Sequence, residues 1–151
     1  MKNRFLILMF LFAVPAFAQS VSPVVSEYGK KARGEFSVTN VGILPMSTTV
    51  ESYSFSINPV TGQSVYRPLD PGVEVELSEG SARISPKEEH AFLYSVKCAN
   101  LPCAVSFLTG SIVGRTTEGF ALRLILNHNV YLCQKANGCR ASVRKANGLT
   151  E

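Results

Sequence analysis

The chain has little of what an enzyme of its size uses for chemistry. Of 151 residues only two are histidine, His90 and His128. They show no H-x-H or H-E-x-x-H spacing, so the pattern that lets paired imidazoles hold a metal is missing. Both are expected on the surface or at a strand end. Serine is abundant, yet no G-x-S-x-G stretch places one on a nucleophile elbow. There is no glycine-rich phosphate loop. Glu74, Glu76 and Glu79 fall along one strand face, which is the pattern of a solvated edge and not of a paired acid and base. These absences point to a protein that is not an enzyme and needs neither cofactor nor metal.

Charge of one sign is also scarce. Lys2 and Arg4 belong to an N-terminal segment that reads as removable, and without it 13 basic residues face 11 acidic ones, a net of +2. Lys30, Lys31 and Arg33 form one short cluster, and Arg140, Arg144 and Lys145 another. Both read as solvated surface, so no nucleic-acid partner is expected. After the first residues no apolar run is long enough to span a bilayer, which takes about 20 residues. The first residues themselves have three parts. Lys2 and Arg4 precede the apolar run Phe5 to Val14, then Pro15 leads into Ala16-Phe17-Ala18, with small residues where a signal peptidase looks. Residues 1–18 are therefore expected to be a cleaved signal peptide. No lipobox cysteine follows, and the 133 residues from Gln19 onward suit one domain outside the cytoplasm.

Helical periodicity is nearly absent from those residues. Short β-branched and aromatic runs recur instead, with turn signals every ten or so residues. Strands are expected at 21–26, 34–41, 47–57, 73–77, 90–98, 105–113 and 120–133, with a short piece at 82–85. Residues 62–72, with Pro68, Pro71 and Gly72, read as a loop. Seven strands at this spacing predict an all-β fold, a seven-stranded immunoglobulin-like β-sandwich as a single domain over 19–133. Residues 134–151 read as a C-terminal tail.

Four cysteines, Cys98, Cys103, Cys133 and Cys139, follow an export signal. They read as two disulfides of an oxidising compartment, because their spacings do not suit zinc and no C-x-x-C occurs. Two pairings stay open. One is local, Cys98 to Cys103 and Cys133 to Cys139. The other joins Cys103 to Cys133 across a hairpin and Cys98 to Cys139. Either places all four sulfurs at one pole of the sandwich.

Certain stretches carry a resemblance. Val21-Ser22-Pro23 opens the exported chain, and Phe36-Ser37-Val38-Thr39-Asn40-Val41-Gly42 is followed by Pro45. A long strand runs through Val50 and Tyr53. Ile84-Ser85-Pro86 leads into the polar turn Lys87-Glu88-Glu89, and a long last strand runs from Phe120 to Leu132. Over residues 21–133 the chain resembles the N-terminal domain of PapD-like periplasmic pilus chaperones, which is related to the major sperm protein fold. The resemblance implies a periplasmic protein that binds a pilus or other secreted subunit through its last strand, by β-augmentation. In that strand Phe120, Leu122, Leu124 and Leu126 share one face, which is expected to line the core. Ala121, Arg123, Ile125 and Asn127 share the other, the face left for a partner. The family's carboxylate anchor maps to no residue here, since Val21 to Ser26 holds no Arg or Lys and the last strand ends in residues such as Asn129 and Tyr131. The chain also holds one such domain where the chaperones hold two. A structural subunit of a pilus or similar assembly is the alternative. Such a subunit lacks its own last strand and carries a donor extension, whereas this chain has a full last strand and almost nothing before Val21.

Overall fold

The computed structural model describes residues 19–113, 122–135 and Cys139. The expected signal peptide (1–18), residues 114–121, which include Phe120 and Ala121 of the expected last strand, and the expected tail apart from residues 134, 135 and 139 lie outside those residues. Among the described residues no helix is long and apolar enough to cross a membrane.

The described residues form ten strands in two sheets. In chain order they are β1 (Ser20–Ser22), β2 (Val25–Tyr28), β3 (Lys31–Thr39), β4 (Met46–Ile57), β5 (Ser64–Arg67), β6 (Val73–Leu77), β7 (Ser81–Ile84), β8 (Glu89–Cys98), β9 (Cys103–Val113) and β10 (Leu122–Leu132). One sheet has the order β1-β3-β8-β6, and the other β2-β10-β9-β4-β5 with β7 also on β4. The fold is the immunoglobulin-like β-sandwich read from the sequence. The strand count exceeds seven for three reasons. The short piece expected at 82–85 forms β7. The expected first strand is divided at Pro23 between the sheets, and the presumed loop 62–72 contains β5, which pairs with Ser54 to Ile57.

Two-residue alternation builds the core. Along β3, Ala32, Phe36 and Val38 are buried while Lys31, Arg33 and Glu35 are exposed; along β8, Phe92, Tyr94 and Val96 are buried while Leu93 and Lys97 are exposed. Phe36 sits centrally, its ring 5.4 Å from that of Phe92 and 5.6 Å from that of Phe107. Each such phenylalanine contributes about 2–3 kcal/mol by leaving water.

His128 corrects a sequence expectation. It is fully buried in this core, with its ring stacked 5.0 Å from Phe36, and is not a surface or strand-end residue. His90, the second residue of β8, is half-buried, and its Nε2 donates to Glu79 at 2.6 Å. The disulfides take the local pairing, Cys98–Cys103 and Cys133–Cys139. The first joins the two sheets, and the second follows β10. Cys139 is buried with Cys133, Tyr131, Ala104 and Phe55 in a second, smaller cluster on the outer face of the six-stranded sheet.

The two stretches quoted for the resemblance meet at the other pole. Asn40 is buried, and its Nδ2 donates to the carbonyls of Leu44, Ile84 and Ser85 while its Oδ1 accepts from the Gly42 N–H. Asn40 thus ties the β3–β4 loop to the Ser85-Pro86 turn. Lys87, in that turn, has a left-handed backbone (φ 64°), and its Nζ donates to the Val41 carbonyl.

Candidate functional site

β10 pairs with β9 along its whole length, from Leu122 opposite Val113 to Leu132 opposite Cys103. Its other side is different. β2 runs parallel to it only from Asn129 to Leu132. Between Leu122 and His128 that side has no strand partner among the described residues.

The backbone groups on this free side follow from one hydrogen bond. Asn129 N–H donates to the Val24 carbonyl, so Asn129 points its backbone toward β2. A strand's N–H and C=O alternate sides residue by residue, so Asn127, Ile125 and Arg123 present theirs on the same side. Leu124, Leu126 and His128 point theirs at β9. The three residues thus aligned are those expected to face a partner. Their side chains lie on the outer face of the sheet, with Arg123 exposed, Ile125 60% exposed and Asn127 half-buried, its Nδ2 donating to Asn129 Oδ1. Ala121 lies outside the described residues. The opposite face holds half-buried Leu124 and Leu126, then buried His128, Val130 and Leu132; Leu126 packs on the main core.

The free edge ends at a polar core network. His128 Nδ1 lies 2.6 Å from the Pro23 carbonyl, an acceptor only, so Nδ1 carries the proton. Nε2 therefore accepts from the Tyr94 hydroxyl at 3.0 Å, and Tyr94 meets the Tyr28 hydroxyl at 3.0 Å. Gly34 makes room for this, since a β-carbon there would stand 2.2 Å from Tyr28 Oη. Burial pushes the His128 imidazole below its ordinary pKa, opposed in part by the bond to Pro23. Pro23 is where the chain passes from one sheet to the other, so this network sets where β2 begins to cover β10. Sequence reading misses it by treating a lone polar ring near a strand end as solvent-facing. His128 continues the Leu122, Leu124, Leu126 alternation, and extending that period by one step finds it.

Elsewhere, a cleft of about 220 Å³ near the Cys98–Cys103 bridge is lined by Phe55, Arg67, Asp70, Val73 and Asn100 among others. Its charges are spent on each other. Arg67 donates to Asp70 through two nitrogens and holds that carboxyl below the usual range. Among the described residues no group of three or more His, Cys, Asp or Glu side chains is placed to hold a metal. The edge of β10 has unspent bonding capacity over several consecutive residues, as do the outer sides of β6 and β5 among the described residues. Only at β10 do the aligned residues coincide with the strand face expected to meet a partner.

No family model matches the chain, and no curated protein matches it in sequence. Solved structures do. The class 5 fimbriae chaperone CfaA matches with a TM-score of 0.58 at 10% identity, over 78% of this chain and 57% of that one. A structure of the Salmonella enterica SafA pilin in complex with the SafB chaperone gives 0.58 at 10% identity, over 82% and 58%. The CsuC–CsuE chaperone–tip adhesion subunit pre-assembly complex of Acinetobacter baumannii gives 0.53 at 16% identity, over 87% and 59%. The chain has the fold of a PapD-like chaperone domain, and it spans less than two thirds of the chains in these three matches.

Proposed function

We propose that the chain is a non-catalytic, exported partner-binding module that takes a strand of a pilus or other surface-structure subunit onto the free edge of β10. Residues 1–18 direct export to the periplasm, 19–133 are the working sandwich, and 134–151 are a tail held by the Cys133–Cys139 bridge. One observation carries the reading: Arg123, Ile125 and Asn127 present backbone donors and acceptors on a side where β2 does not reach. Such an edge binds an extended segment through main-chain hydrogen bonds, with alternate side chains giving the register. Two of the structural matches are complexes of a chaperone with a pilus subunit, which supports a protein partner of that class.

A structural-subunit role is the second reading. It fits less well, because the described residues include a last strand, β10, that pairs with β9 over 11 residues, where such a subunit lacks one of its own.

The test is hydrogen exchange on the protein from Gln19 onward, alone and with a pilus subunit co-purified from the native periplasm. Slowed exchange at the amides of Arg123, Ile125 and Asn127, lost in Ile125→Pro, is the expected result. Because proline could damage β10, Arg123→Pro and a circular dichroism check accompany it. A complex that forms without protecting these amides refutes strand addition.

A further inference from the structure

The outer face of the six-stranded sheet divides into two halves. The half near the disulfides is already covered, with Phe55 4%, Ala104 7% and Tyr131 4% exposed beneath Cys139. The half near the start of β10 is open. Strand register lays out its side chains in two rows. One row runs Arg83, Ser47, Ile112, Arg123 across β7, β4, β9 and β10, and the next runs Ser81, Thr49, Gly110, Ile125. Ile112 is 49% and Ile125 60% exposed, although they are near neighbours on the diagonal. Gly110 leaves a dip between Thr49 and Ile125, and the Arg123 guanidinium lies across it, its nitrogens 3.5 and 3.7 Å from where a β-carbon would stand.

Among the described residues, the charge in these two rows is of one sign. Arg83 and Arg123 stand at the two ends of a row, about 14 Å apart at three strand spacings. Neither has an ion-pair partner among the described residues. The two rows contain no carboxylate. The nearest on that face, Glu51, lies in the following row and accepts from the Tyr53 hydroxyl at 2.6 Å. Two uncompensated guanidinia flanking two exposed isoleucines complement a surface that carries carboxylates beside aliphatic side chains.

We infer that this half-face is a docking surface for an acidic, aliphatic-bearing segment of the partner protein, laid over β4, β9 and β10 beside the strand-accepting edge. The inference deepens the edge reading by naming the partner's surface chemistry. The cations steer the approach and the isoleucines supply the apolar contact, with Gly110 keeping the floor low enough for the Arg123 guanidinium to lie across it.

The probe is a synthetic peptide of alternating leucine and glutamate, with a leucine–lysine peptide as its counterpart, titrated into the protein from Gln19 onward. Amide and isoleucine methyl shifts and hydrogen exchange are read together. The glutamate peptide is expected to shift residues 47, 49, 110, 112, 123 and 125 and to bind at least about tenfold tighter than the lysine peptide. Arg83→Glu with Arg123→Glu removes that preference, Arg83→Gln with Arg123→Gln reduces it, and about 0.5 M salt weakens it. Equal affinity for both peptides, or shifts centred on Lys30, Lys31 and Arg33, overturns the inference. If the edge amides of 123, 125 and 127 become protected with either peptide and without charge preference, the edge reading stands and this one falls. Charge-dependent shifts on the face with the edge unprotected support the docking surface and count against strand addition.

Discussion

Asn40 donates to three carbonyls and accepts one N–H from inside the protein, so Asn40→Ala strips partners from a loop and a turn together. Buried polar groups left unpaired cost about 1–3 kcal/mol each, and a loss near 3 kcal/mol by urea denaturation is expected. A loss under about 1 kcal/mol would mean that water replaces the side chain freely. His128 makes a prediction about pH. Its folded pKa lies below the unfolded value of about 6.5, so on acidification the unfolded chain takes the proton first and stability falls. Above that value the imidazole is neutral in both states and the effect vanishes. Among the described residues the groups against the ring are Phe36, Phe107, Tyr94 and the Pro23 carbonyl, none of them a carboxylate or a cation. Wild-type protein should therefore melt lower at pH 5.5 than at pH 7.5, whereas His128→Gln should be less stable overall and nearly flat across that range. A variant as pH-dependent as the wild type would place the titration elsewhere.

At the scale of the element, β10 tests its own alternation. Leu124, Leu126 and His128 direct their N–H groups at β9, whereas Arg123, Ile125 and Asn127 direct theirs at the uncovered side. In the protein alone, exchange should alternate along the strand, with the second set faster by an order of magnitude or more. Uniform protection from 123 to 128 would show that something covers the edge, and the strand-addition proposal would lose its site. Much of this strand was legible beforehand. The leucine face and the Arg123–Ile125–Asn127 face follow from period two alone. What could not be read was which stretch of the strand is covered, because that depends on where the first strand changes sheets. Val21 to Ser26 looks continuous in sequence, and only the hydrogen bonds of Pro23 and Val24 to β10 reveal the division. β5 escaped for a related reason. All four of its residues are exposed, so no buried side alternates with a wet one to announce a strand.

At the scale of the whole molecule, the two disulfides close loops of nearly equal length, with sequence separations of 5 and 6. Chain entropy assigns each about 2–3 kcal/mol, so loop length alone predicts equal losses for the two double substitutions. Their surroundings differ. Cys98–Cys103 joins half-buried sulfurs across the sandwich, from β8 in one sheet to β9 in the other. Cys133–Cys139 holds the buried Cys139 against Phe55 and Tyr131, and the Glu27 carboxylate accepts the Cys139 N–H at 3.2 Å. Replacing Cys133 and Cys139 by alanine therefore removes a loop constraint and also uncovers two aromatic rings. That variant should lose roughly 1–3 kcal/mol more than the Cys98, Cys103 variant, since uncovered apolar surface costs about 25 cal/mol per Å². Its tyrosine fluorescence should become more accessible to quencher, while the exchange pattern of 123–128 stays unchanged. Equal losses from both variants would mean that the outer cluster contributes nothing beyond its bridge. A changed exchange pattern would couple the covered half of the sheet to the open one, so that the segment at Cys139 would govern the edge as well as shelter the rings beneath it.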